Sequence, residues 1–372
     1  MIPMRYDLKT LPMSALLPAI IRAEDRLARL DERVLRHAIG DGFRERGHFF
    51  DAVAALWVGG ELVHVEDLVL HDSHMDARAP THELTIANSV LRARRRLWAA
   101  EPEWGLEVSG IAAFSGAGDD QLPMTATKPA SVEPHIEEEE EGEDAFSLEL
   151  AAIDAVLARS EQVLKDSKIQ APETKSMDHL DPLGLVHDDE WDEAARLRDW
   201  RAVIEDADTL PPALGAAILY DAWERIEPLR RQHWLGSLLT ATYLRARGKV
   251  TSHLFCINLG LKSIRHERRR SNDRTIRLTA FLEAMAEAAD AGLKELDRLS
   301  LAKTQMERRL KDRRSNSSLP GTIELVLSRP IVSAGMVAQH VGITPRGALN
   351  LVSDLGIREM TGRGRYRGWG VL

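Results

Sequence analysis

Cysteine is nearly absent from this 372-residue chain, and the lone Cys256 excludes an intramolecular disulfide framework. One thiol fits a reducing compartment, so the cytoplasm is the expected location. Aromatic residues make up only 5% of the chain. No apolar run approaches the ~20 residues that a membrane span needs, and no basic stretch followed by an apolar one opens the chain as an export signal would. The glycine-rich phosphate loop, the nucleophile elbow, paired CxxC motifs and the dinucleotide fingerprint are all missing, which removes the commonest routes to nucleotide, hydrolase and redox chemistry. No cofactor and no metal is therefore expected. The stretch from His71 to Asp76, with His71 and His74 three apart and His82 further on, is the nearest approach to a metal-binding set, and an exposed polar loop explains it better.

What the chain does have is alanine, leucine, arginine and glutamate at helical spacing. Its length suggests two or three units at roughly 100–200 residues each. The formal net charge is −9, but the charge is segregated. Residues 133–149 hold nine carboxylates and no Lys or Arg. Residues 262–277 carry seven Lys/Arg against two acids, residues 301–314 six against two, and residues 358–372 four against one. An acidic average thus hides a basic C-terminal third, which is compatible with a nucleic-acid partner.

The periodicity predicts helices over 14–36, 47–57, 81–100, 146–165, 190–207, 212–225, 235–246 and 275–314, with one or two short ones within 248–272. Residues 61–70 read as a short strand pair or a helix start. The organisation that follows is a helical part over 1–108, an acidic disordered linker over 109–145, a helical core over 146–314, and a separate module over 315–372 entered through a hinge at 315–321.

The last module is the most readable. A helix over 322–328 stops before Pro330. Ser333 can cap a second helix, 334–340, and Gly342 sits in a short turn. Thr344 can cap a third helix over 345–355, with Pro345 in its first turn and Gly356 ending it. Ala338 is small where helices must cross, and Ala348, Leu349, Val352 and Leu355 are the expected core face. This spacing is that of a helix-turn-helix, whose second helix enters the major groove. Thr344, Arg346 and Asn350 are the polar residues placed to reach DNA. Two strands, 357–361 and 366–371, flank a Gly/Arg turn and make a two-stranded wing. Arg363, Arg365 and Arg367 on it are suited to phosphates or a minor groove. Double-stranded DNA is the expected partner.

A second stretch, Ile226-Glu227-Pro228-Leu229-Arg230-Arg231-Gln232-His233-Trp234-Leu235-Gly236-Ser237-Leu238-Leu239, resembles the catalytic loop of Fic-type proteins, I-H-P-F-x-[D/E]-G-N-G-R-x-G-R-L-L. Ile226, Pro228, Gly236, Leu238 and Leu239 fit, with one residue deleted. Residues 51–70, 81–90 and 281–290 are similar, in the same order, to that family's inhibitory segment and flanking helices. The resemblance implies a mainly α protein: a Fic-like helical core followed by the winged helix-turn-helix. It also implies that catalysis has been lost. The family's histidine falls on Glu227, its magnesium-binding acid on Arg231, the glycines of its phosphate cradle are replaced, and Trp234 stands near its arginine. His233 is displaced from the histidine position. The family's inhibitory Ser-x-x-x-Glu falls on Ala55 and Gly59. The chain also resembles an uncharacterised, often plasmid-borne bacterial family with a domain of unknown function ahead of a helix-turn-helix.

The expectation is a sequence-specific DNA-binding regulator, with a non-catalytic core that dimerises or senses a protein or small-molecule effector. Two alternatives stand beside it. One is a magnesium-dependent nucleotidyl or phosphoryl transferase with an unusual loop around Glu227 and His233. The other is a protein-docking adaptor with little affinity for DNA.

Overall fold

Apolar residues that recur every three or four positions place one stripe of each helix against its neighbours. A computed structural model describes residues 6, 11–76, 79–114, 191–310, 318–361 and 367–371. The expected helix over 146–165 and nearly all of the acidic linker lie outside these residues. The linker's first residues do not match that expectation, because Val108–Ala112 form a short helix (α5) that buries Gly110 and Ile111.

The N-terminal part consists of α1 (Met13–Arg36), α2 (Gly40–Gly59), α3 (Val65–Asp72), α4 (His82–Ala99) and α5. Helix α1 buries Leu16, Ile20, Ala23, Leu27, Leu30 and Val34, a single stripe. That stripe lies along α11 (Arg274–Leu310), a helix of 37 residues. Arg22–Glu287 (2.8 Å) and Arg26–Asp290 (3.3 Å) pair along the outer edge of the contact. Helix α2 starts earlier than its apolar pattern indicates, at Gly40. Residues 61–64 are loop, so the ambiguous stretch resolves into a helix start. Thr81 caps α4, accepting from the Leu84 N–H at 3.2 Å.

The second half runs through α6 (Glu193–Ala207), α7 (Pro212–Ile226), α8 (Leu235–Ala246), α9 (Ile257–Ser263), α10 (His266–Arg269) and α11. Helices α7 and α8 are apolar nearly all round and bury every side, so they form the central pair. Trp200 of α6 and Trp223 of α7 meet edge to face at 5.1 Å. Gly236 lies beneath Trp223, where a Cβ would come within 2.3 Å of the indole ring. The glycine shared with the Fic motif therefore has a packing reason of its own in this chain.

Two polar features are built into this core. Asp51 of α2 and Arg94 of α4, each 1% exposed, form an ion pair. Asp51 also accepts from the Asn258 N–H (2.8 Å), the Asn258 side-chain amide (3.1 Å) and the Leu259 N–H (3.2 Å), tying down the start of α9. Arg94 donates to the Leu254 carbonyl at 2.7 Å. The second feature is a pair of buried histidines, His48 and His253. Burial, reinforced by Arg94 and Arg44 and opposed by Asp31, lowers His253 to about 4. Burial also holds His48 well below its ordinary range.

A histidine lowered on folding costs stability as the pH falls. Above the unfolded pKa of roughly 6.5 both states are neutral and nothing is lost. Between there and pH 4 the unfolded chain takes a proton that the folded chain refuses. His253 alone is expected to remove about 2 kcal/mol by pH 5, and His48 acts with the same sign. Urea denaturation at pH 7.5 and pH 5 checks this: His253→Gln should flatten the acid slope. Superimposable pH profiles for the two proteins would refute it.

Candidate nucleic-acid interface

The C-terminal module is built from α12 (Leu319–Ser328), α13 (Ala334–Val341), α14 (Pro345–Leu355) and three short strands, β1 (Val332–Ser333), β2 (Arg358–Glu359) and β3 (Gly368–Gly370). Its start departs from the expected hinge. Leu319, Pro320 and Gly321 belong to the first turn of α12, where a proline is tolerated because its missing N–H would have no helical partner. The caps are those read from the sequence. Ser333 accepts from the Met336 N–H at 3.1 Å, and Thr344 from the Gly347 N–H at 3.2 Å. Gly342 (φ +68°) and Gly356 (φ +60°) end the two helices in the left-handed region, where a Cβ would be strained.

The sheet is antiparallel in the order β1-β3-β2. The expected wing pair, β2 and β3, is present, and β1 adds a third strand through Val332 opposite Trp369. Trp369 is buried.

Helix α14 turns Ala348, Leu351, Val352 and Leu355 inward. Leu349, expected in the core, is instead 39% exposed. The cause is phase: packing against α13 and α11 selects the 348-351-352-355 stripe, and residue 349 falls about 100° away on a 3.6-residue turn. Arg346, Leu349, Asn350 and Ser353 consequently form one outward line, and Arg346 and Asn350 have no hydrogen-bonding partner among the described residues. An arginine and an asparagine suit guanine and adenine edges, and a leucine between them suits a thymine methyl. Thr344 is exposed at the start of the same helix, its oxygen already holding the cap.

On the wing, Arg367 forms a bidentate pair with Glu359 (3.0 and 2.7 Å) and stacks over Trp369 at 5.1 Å. The pair is exposed, so a phosphate can compete for the guanidinium. Arg363 and Arg365 lie outside the described residues. Arg358 was not singled out in the sequence; it is exposed on β2 without a partner among the described residues. Its only signal there is membership in the basic C-terminal run.

The module is seated on α2. Arg46, 1% exposed, donates to the carbonyls of Arg329, Val326 (3.5 Å) and Val371 (3.3 Å), and pairs with Glu295 of α11 at 3.0 Å. Burial lowers its pKa to about 10, which leaves it charged at neutral pH. Arg329 in turn pairs with Glu45, and Arg309 donates to the Leu355 carbonyl at 2.9 Å.

The loop over 227–234 joins α7 to α8. Glu227 takes a left-handed conformation (φ +46°), and Glu227, Arg231 and His233 are exposed while Pro228 and Leu229 are buried. The loop lies against the C-terminal end of α2: His233 Nε2 would be 3.0 Å from a Cβ on Gly59. Gly59, Ala55, Arg231, His233 and Trp234 share a cavity of about 130 Å³ with His82. The N–H groups of Leu235 and Gly236, which open α8, already donate to the Gln232 (2.9 Å) and His233 (3.3 Å) carbonyls. His71 pairs with Asp76 at 3.0 Å, apart from His82, and the described residues hold no group of three metal-ligating side chains. No helix among the described residues is long and apolar enough to cross a membrane.

Known proteins match this arrangement. Residues 185–311 match a family described as a protein of unknown function (DUF1612), and residues 319–372 match an HTH DNA binding domain. The uncharacterized protein y4cF of Sinorhizobium fredii (strain NBRC 101917 / NGR234) is 47% identical over 382 residues, covering 99% of this chain and 100% of that protein. The chain belongs to the same family as that Sinorhizobium protein, and in this chain a DUF1612 region is followed by a C-terminal helix-turn-helix DNA-binding domain.

Proposed function

We propose that this protein is a sequence-specific DNA-binding transcriptional regulator that acts as a homodimer. The observation that carries the reading is the outward line of Arg346, Leu349, Asn350 and Ser353 on α14. These side chains offer hydrogen bonds and an apolar contact to base edges, on a helix held rigidly by two caps and a packed inner face. The wing supplies Arg363, Arg365 and Arg367 for the backbone. A two-fold dimer would present two such helices to a palindromic site.

The test is a salt titration of affinity for a site selected from random duplexes. Changing Arg363, Arg365 and Arg367 together to alanine should weaken binding and lower the slope of log K against log[salt] by roughly 3, one unit per lost phosphate contact. Unchanged affinity and slope would remove the wing from the interface.

The helical core, on this reading, is a non-catalytic Fic-like scaffold. Its support is local. Arg231 places positive charge where a magnesium-binding carboxylate would be needed, and the helix-opening N–H groups are already occupied. A calorimetric titration with ATP and Mg²⁺ should give no heat. Magnesium-dependent binding that disappears in Glu227→Ala/His233→Ala would restore the transferase alternative.

A further inference from the structure

A cavity of about 370 Å³ lies where the winged helix meets the helical core. Helices α1, α2 and α11 and the 253–259 segment line one side. Pro330, Ile331, Met360 and Val371 of the DNA-binding module line the other. Its volume falls in the range of small-molecule sites, roughly 300–1,000 Å³, and such sites favour joints between packed units.

Its wall is mainly apolar, and three of its charged side chains, Arg46, Glu295 and Arg298, converge. Arg46 and Arg298 both bond the single carboxylate of Glu295, at 3.0 and 2.8 Å. Among the described residues, these two guanidinium groups share one carboxylate, so one positive charge there has no ion-pair partner. Glu66 also lines the cavity and forms no ion pair with either arginine among the described residues. Arg298 spends three donor hydrogens, on Glu295 through Nε and Nη2 and on the Val371 carbonyl through Nη1 at 3.0 Å. A guanidinium has five. Two have no partner among the described residues, on a side chain that is 32% exposed.

We propose that this cavity binds a small apolar carboxylic acid, whose carboxylate takes the spare donors of Arg298 and whose hydrocarbon or aromatic body lies among Phe43, Phe50, Phe255 and Ile331. An unpaired positive charge in an apolar wall favours an anion, and the apolar surface favours a body that water rejects. The site is wired to the DNA-binding module. Arg46 and Arg298 both hold the Val371 carbonyl, immediately after β3 of the wing. An acid bonded to the spare donors of Arg298 repositions the guanidinium that also holds Val371, and so alters how the wing is anchored. This consequence rests on the regulator reading; the assignment of the cavity does not.

The experiment uses the full-length protein and 2-naphthoate as probe, with 2-naphthalenemethanol as the neutral comparison. Calorimetry should show saturable one-to-one binding of the acid, about tenfold or more tighter than the alcohol, as a hydrogen bond to a charged group implies. Arg298→Gln should erase the preference for the acid. Ala291→Trp, at an exposed position on the cavity wall, should block both probes without changing the melting temperature. No saturable binding at millimolar 2-naphthoate, or binding that both variants leave intact, overturns the assignment. The same samples are then titrated with DNA. Acid binding with unchanged DNA affinity keeps the cavity and refutes the coupling. A wild-type protein that binds no DNA sinks the regulator reading and leaves the cavity standing.

Discussion

Asp51→Ala is expected to cost the fold about 3–5 kcal/mol, because it leaves Arg94 as a buried charge with no carboxylate to answer it. Arg94 is 1% exposed and cannot swing into water without opening the contact between α2 and α4. The same substitution frees the Asn258 and Leu259 N–H groups that Asp51 accepts, so the start of α9 loses its tether. Against a net stability of about 5–15 kcal/mol for an ordinary domain, that is a large share. Removing both charges should be milder than removing one. Asp51→Leu/Arg94→Met replaces a paired, desolvated system with apolar volume and should lie closer to wild type than Asp51→Ala does. Urea denaturation followed by the fluorescence of the buried Trp200 and Trp223 reads both effects. An Asp51→Ala protein within about 1 kcal/mol of wild type would show that the ion pair does not hold these helices together.

Arg346→Ala and Asn350→Ala are each expected to lower affinity for the specific site about 10- to 100-fold, corresponding to roughly 1–3 kcal/mol per lost bidentate base contact. Both side chains are exposed, so melting temperatures should not move. Non-specific affinity and its salt dependence come from phosphate contacts and should stay near wild type. The distinguishing quantity is therefore the ratio of specific to non-specific binding, measured by fluorescence anisotropy at one salt concentration. Leu349→Ala provides an internal contrast. It should relax the preference at a single thymine, with a smaller effect than either polar substitution. If both polar variants keep the wild-type ratio, α14 is not the reading helix.

The winged helix-turn-helix was readable because its signals are chemical and local. A serine or threonine before a helix, a proline in its first turn and a glycine after its end act within three or four residues, and Ser333, Thr344, Pro345 and Gly356 do so here. Long helices such as α1 and α11 were equally plain, since their stripes repeat over many turns. Leu349 was misplaced because two stripes on α14 are almost equally apolar, and only the neighbouring helices choose between them. Strand β1 is two residues long, too short for any alternation to register.

By itself, then, the sequence determined most of the longer described helices, the caps of α4, α13 and α14, and the helix-turn-helix with its wing. These follow from interactions between residues close in the chain, and they survive whatever the rest does. The tertiary structure alone decided which face of α14 meets solvent, that Arg46 joins α2 to carbonyls some 280 residues away, that Asp51 and Arg94 answer each other, and that a cavity opens between core and wing. Each of these depends on pairing groups distant in sequence. A burial stripe shows that a side chain is covered, and says nothing of what covers it.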